Sequence, residues 1–266
     1  MKPAPNEIPV ERLLPHRPPM LVLERLAAWS PEASTSNLRL REGGLCFEAG
    51  RFRPLWCVEL MAQAVAASVA YGAAIADEPR EAAGFVVGIE DLRFGALEAL
   101  VAGAELTIES RLDVDVPPAA ELTARILAGP TEVAAARLRM LIGGARAQPL
   151  RPDAPRLEGF QGSSFEVGAG LVKIVLGAGH PWLDGHFPGA PVLPAVGQLR
   201  FVEHAASLLT GKACELESVE RARFQEPIVP GDALELSLDT RALPRIDWTF
   251  RRGGRRVASG GGWLRG

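Results

Sequence analysis

The sequence predicts an α+β protein made of two like halves, and three observations carry that reading. Each half sets one long helix-forming run among several strand-forming runs, at 56–76 in the first and 194–210 in the second. Residues 143–163, rich in Gly, Pro and Arg and without apolar periodicity, read as the linker between them. A segment of the first half also returns in the second. Ile89-Glu90-Asp91-Leu92-Arg93-Phe94 followed by Val101-Ala102-Gly103-Ala104-Glu105-Leu106 parallels Val219-Glu220-Arg221-Ala222-Arg223-Phe224 followed by Val229-Pro230-Gly231-Asp232-Ala233-Leu234. The patterning predicts a domain over 1–148 and another over 158–266.

In the first half, strands are expected at 20–27, 36–41 and 44–48. An Ala-rich helix follows from 56 to 76, stopped by Asp77-Glu78-Pro79. Strand-like runs then cover 84–94, 101–114, 119–129 and 132–143. The second half reads as strands within 163–177, a helix opened by Pro194, and strands at 214–224, 232–240, 245–252 and 255–264.

With 47% hydrophobic and 23% charged residues, the 266-residue chain can bury a sizeable core. A net charge of −3 argues against a nucleic-acid protein. Cys46, Cys57 and Cys214 are odd in number and widely spaced, which suits buried thiols and neither a disulfide framework nor a zinc site. The N-terminus lacks an apolar signal core, and no apolar run reaches the roughly 18 residues of a membrane span. The expectation is a cytoplasmic protein with no membrane insertion.

The run richest in chemistry is His180-Pro-Trp-Leu-Asp-Gly-His186-Phe-Pro-Gly189-Ala-Pro-Val-Leu-Pro194-Ala195-Val196-Gly-Gln-Leu199. A Gly/Pro-stiffened loop fixes His186, and the helix opened by Pro194 supplies free N–H groups beside it, an arrangement suited to acid–base work. This run resembles the active-site segment of the 3-hydroxyacyl-ACP dehydratases of fatty-acid synthesis, which are hotdog-fold proteins. Residues 222–232 resemble the same family, as do Leu14-Pro15-His16-Arg17 and the helix segment Glu59-Leu60-Met61-Ala62-Gln63. The resemblance implies a double hotdog, two hotdog domains in tandem, each a long helix wrapped by an antiparallel sheet.

In that family an acid lies fourteen positions after the loop histidine, where this chain has Arg200. The first half carries the acid-bearing helix but has Gly50-Arg51-Phe52-Arg53-Pro54 in place of the histidine loop. The two defects are complementary. Since the family builds each site from two subunits, the resemblance implies one composite site pairing His186 with Glu59, and a second, dead site facing Arg200. It is also similar to the paired dehydratases of aryl polyene biosynthesis, here fused.

The resemblance further implies dehydration of a 3-hydroxyacyl chain on the phosphopantetheine arm of an acyl carrier protein, with no other cofactor and no metal. His186 is expected to be the base and Glu59 the acid, its pKa raised by apolar neighbours. The N–H groups of Gly189, Ala195 and Val196 are expected to face the thioester oxygen. Ala195 stands where the family has glycine, and its methyl would narrow the tunnel or change the allowed backbone angles. His16 is expected to anchor the first strand, His180 and His204 to be structural or superficial, and Arg251, Arg252, Arg255 and Arg256 to form a solvated hairpin end or to dock the acidic carrier. Glu203, one turn beyond Arg200, is a candidate displaced acid. The expected assembly is a pseudo-dimer within the chain, with an open sheet edge able to support a homodimer. Competing readings are a non-catalytic acyl-binding or scaffold partner of a synthase and a hotdog thioesterase.

Overall fold

The computed structural model describes residues 2–76, 84–142, 154–168 and 170–265, in two compact units, Met1–Arg146 and Ala147–Gly266. The expected helix stop at Asp77-Glu78-Pro79 lies outside the described residues, as do positions 143–153 of the expected linker.

In unit 1 a 3-10 turn (Pro5–Glu7) precedes a short helix, α1 (Val10–Leu13), then β1 (Arg25–Trp29) and β2 (Ala33–Arg39), a small hairpin of β3 (Phe47–Glu48) and β4 (Arg51–Phe52), and the long α2 (Trp56–Ile75). Strands β5 (Gly84–Phe94), β6 (Glu105–Val116), β7 (Ala119–Ala128) and β8 (Thr131–Ile142) complete it. They form an antiparallel sheet in the order β1-β2-β6-β7-β8-β5. Strands β6 and β7 show the reason: Leu106, Ile108, Leu122, Ala124 and Ile126 alternate inward with period two. The face they bury packs on α2.

Among the described residues, unit 2 repeats the plan without the small hairpin. It runs β9 (Ser164–Gly168), β10 (Leu171–Val175), α3 (Ala195–Thr210), β11 (Glu215–Phe224), β12 (Ala233–Asp239), β13 (Arg245–Arg252) and β14 (Arg255–Arg265). Its antiparallel order, β9-β10-β12-β13-β14-β11, is that of unit 1 strand for strand. The repeated sequence motif carries an irregularity in both copies: pairing shifts between Glu90 and Arg93 in β5, and between Val219 and Arg221 in β11.

Two departures from the sequence reading have identifiable causes. Residues 20–24 are not strand, because the N–H groups of Val22 and Leu23 bond to the side chain of Gln63 on α2. Of the run 44–48, only Phe47 and Glu48 pair, and they pair with Arg51 and Phe52, closed by an edge-on contact of Phe47 with Phe52. A third correction concerns α2. At 20 residues it is long and apolar enough to cross a bilayer, which the sequence reading denied to every run. It is instead a core helix: 14 of its residues are buried, and it packs on the sheet of unit 1.

The glycine run of β14 is tightly packed. A Cβ on Gly260 would lie 2.3 Å from Cζ2 of Trp248 and 2.6 Å from the Arg221 carbonyl, so indole and neighbouring backbone occupy the space of a side chain. Gly260→Ala is expected to cost about 2 kcal/mol or more in urea unfolding, since neither the buried ring nor the strand can move aside.

Candidate active site

In unit 1 the site-forming element is the first turn of α2. Glu59 is buried there although it is a carboxylate. Desolvation dominates its titration and pushes its pKa up to about 7, against the opposing pull of a hydrogen bond from Gln63. Gln63 lies one turn on, on the same helix face. Its Nε2 donates to Glu59 Oε1 at 2.8 Å and to the Met20 carbonyl at 2.9 Å, while its Oε1 accepts from Val22 N at 3.1 Å and Leu23 N at 3.3 Å. One buried amide thus holds both the acid and the segment leading to β1.

His16 approaches the same carboxyl, its Nε2 lying 3.5 Å from Glu59 Oε1. Burial, then the Arg17 guanidinium beside it, lowers its pKa to about 4, so the imidazole is neutral at ordinary pH. Arg17 in turn donates to the carbonyls of Leu14 at 3.0 Å and His16 at 2.7 Å. Gln63 thus ties down the segment before β1, and His16 faces the acid. The signal for Gln63 was present in the sequence, an amide four residues after Glu59.

In unit 2 the histidine loop runs from a short helical turn, Pro181–Leu183, to the start of α3. Left-handed backbone at Gly185, Phe187 and Gly189 folds it back on itself (φ 76°, 54° and 86°), which glycine allows cheaply at two of the three positions. Buried His186 sets Nδ1 2.6 Å from the Val192 carbonyl. A carbonyl accepts only, so Nδ1 carries the proton and Nε2 is the basic nitrogen. The loop is braced from below: Leu193 N donates to Ile228 O, Val229 N to Asp232 Oδ2, and Arg252 Nη1 to both Asp232 Oδ2 and the Pro227 carbonyl. Arg252 thus belongs to the support of the loop, contrary to the solvated hairpin end expected, while Arg251, Arg255 and Arg256 are exposed.

The N–H groups of Ala195 and Val196 lie in the first turn of α3 and have no carbonyl partner within the helix. Gly189 sits on the loop before them. Arg200, where the family acid would stand, is buried and ion-paired with Glu203, its guanidinium 5.5 Å from the Phe160 ring centroid. Glu203 Oε1 accepts from Leu216 N at 2.8 Å. Its carboxyl is thereby committed to structure, which removes it as a displaced acid. His204 stacks on Phe160 at 3.9 Å, and buried His180 accepts from Trp182 N. Cys46 and Cys57 are buried, with burial pushing the Cys46 thiol up to about 11, whereas Cys214 is only half-buried.

The ApeP-like family, described as the ApeP dehydratase, matches residues 8–146. The chain belongs to this hotdog dehydratase family. Residues 168–261 match the ApeI-like family, described as the ApeI dehydratase, so the two halves of this dehydratase-family chain match two different family models. The 3-hydroxyacyl-[acyl-carrier-protein] dehydratase FabZ of Haemophilus influenzae (strain PittEE) is 35% identical over 83 residues, covering 28% of this chain and 56% of that protein. The chain thus spans about half the length of the curated relatives it matches. Among solved structures, an acyl-ACP thioesterase from Bacteroides thetaiotaomicron shares the fold at a TM-score of 0.56 and 10% identity, over 88% of this chain and 98% of that one. The dehydratase heterocomplex ApeI:P from Xenorhabdus doucetiae aligns at a TM-score of 0.48 and 22% identity, over 52% of this chain and 93% of that one.

The burial of Glu59 has a sign that can be measured. With a folded pKa near 7 against an ordinary 4.5, the native state holds a proton that the unfolded chain releases. Glu59 therefore withdraws stability as pH rises from about 4.5 to 7. Glu59→Gln lacks this loss, so its stability relative to the parent should rise by about 3 kcal/mol between pH 4 and pH 8 in denaturant titrations. Arg200→Met, which strands Glu203 beside an apolar side chain, should cost about 3 kcal/mol at pH 7 by the same measurement.

Proposed function

We propose that the chain dehydrates a 3-hydroxyacyl thioester, carried by an acyl carrier protein, to the trans-2-enoyl thioester at one composite site. His186 from unit 2 and Glu59 from unit 1 act as its base and acid. The observation that carries this reading is the complementary defect of the halves. Unit 1 has a buried acid and the β3–β4 hairpin where a histidine loop would be. Unit 2 has the histidine loop and, in the acid's place, an arginine locked to Glu203.

In this mechanism Nε2 of His186 removes a C2 proton, with Nδ1 held on the Val192 carbonyl. The electron pair left at C2 forms the C2–C3 double bond as the C3–O bond breaks. Protonated Glu59 donates to the departing hydroxyl, which leaves as water. Charge building on the thioester oxygen is met by the N–H groups of Gly189, Ala195 and Val196 at the positive end of α3. Afterwards His186 holds one proton too many and Glu59 one too few, and exchange with solvent resets both. A carboxyl titrating near 7 suits the acid, and turnover should fall as pH rises through that value. The family memberships of the two halves support the reaction class, and their pairing supports a fused equivalent of a two-component aryl polyene dehydratase.

Incubation with a 3-hydroxyacyl carrier protein, followed by mass, tests the proposal. Loss of one water from the acyl group supports it, whereas release of a free acid or no change at all overturns it. His186→Ala and Glu59→Gln should each lower turnover by about 10² or more with the fold retained. The double variant should be little worse than the worse single one, because the two groups act in one step.

A further inference from the structure

We propose that His16 is a positioning residue for Glu59: with Gln63 it engages Oε1 as the accepting oxygen, so that Oε2 carries the acid proton. This rests on the reading of Glu59 as the acid. The geometry lies wholly within unit 1. Oε1 receives the Gln63 amide at 2.8 Å and faces His16 Nε2 at 3.5 Å. A protonated carboxyl has one oxygen that only accepts and one that donates. The Gln63 N–H makes Oε1 the accepting oxygen, with His16 Nε2 facing the same atom, which leaves Oε2 as the hydroxyl. An acid whose proton can sit on either oxygen delivers it in the right direction only part of the time, and this arrangement removes that choice.

The assignment also fixes the tautomer of His16. For Nε2 to donate it must bear the ring proton, leaving Nδ1 as acceptor. Within its unit, Glu59 is faced by Gln63 from its own helix and by His16 from the segment before β1, with the Arg17 guanidinium next to His16 and bound to the Leu14 and His16 carbonyls. The burial that keeps His16 neutral lets it serve as a dipole without bringing a second titrating charge to the site.

The test uses the full chain without substrate, so it stands whether or not dehydration is observed. Imidazole ¹⁵N spectra of the parent protein should show His16 protonated at Nε2, and a proton on Nδ1 overturns the proposal. Titration of the Glu59 carboxyl by ¹³C spectra, assigned with Glu59→Gln, gives the second measurement. Losing a donor disfavours the carboxylate, so in His16→Leu the midpoint should move up by roughly half to one pH unit. His16→Gln, which restores an N–H donor, should return it. A downward movement in His16→Leu would mean that His16 accepts the proton of Glu59, and no movement would mean that it only fills space. Either result overturns the assignment. Should the leucine variant not fold, the tautomer of the parent decides.

Discussion

Burying a carboxyl inside a wrapped helix costs several kcal/mol unless the group is neutral or its hydrogen bonds are made, and unit 1 is arranged around that constraint at Glu59. The helix must be apolar on nearly every side to be enclosed by its sheet, and α2 is. Its two buried polar side chains, Glu59 and Gln63, sit one turn apart and satisfy each other. Gln63 spends its remaining capacity on the backbone of residues 20–23, so the segment that brings in His16 is tied to the helix that carries the acid. Acid, amide and imidazole are one local unit, and the raised pKa of Glu59 follows from the enclosure itself.

Unit 2 meets the same constraint with different chemistry. Arg200 also sits on an enclosed helix, and a guanidinium cannot be neutralised by proton loss. It is held by an ion pair to Glu203, which in turn takes the Leu216 N–H, and it lies against the Phe160 ring. A buried polar position is thereby built into the frame. The loop side of unit 2 is equally committed, since the chain from Arg252 through Asp232 and Val229 braces the turn on which Leu193 hangs. The two units share strand order and one long helix each, yet one encloses a carboxyl with a raised pKa and the other holds an imidazole by its Nδ1.

The sequence by itself determined the repeat, because one long helix-forming run among several strand-forming runs and a recurring segment appear in both halves, and strands such as Gly84–Phe94 and Arg245–Arg252 fall where the pattern predicts them. It also determined the chemical candidates, since the surroundings of His186 and Glu59 are short, local motifs. Local patterns cannot say where a buried polar side chain points. That Gln63 anchors the segment before β1 depends on contacts between residues about 40 positions apart. That Arg252 braces a loop, and that Glu203 neutralises Arg200, follows from enclosure: a buried charge takes whichever partner the fold places beside it, and the backbone path sets that partner.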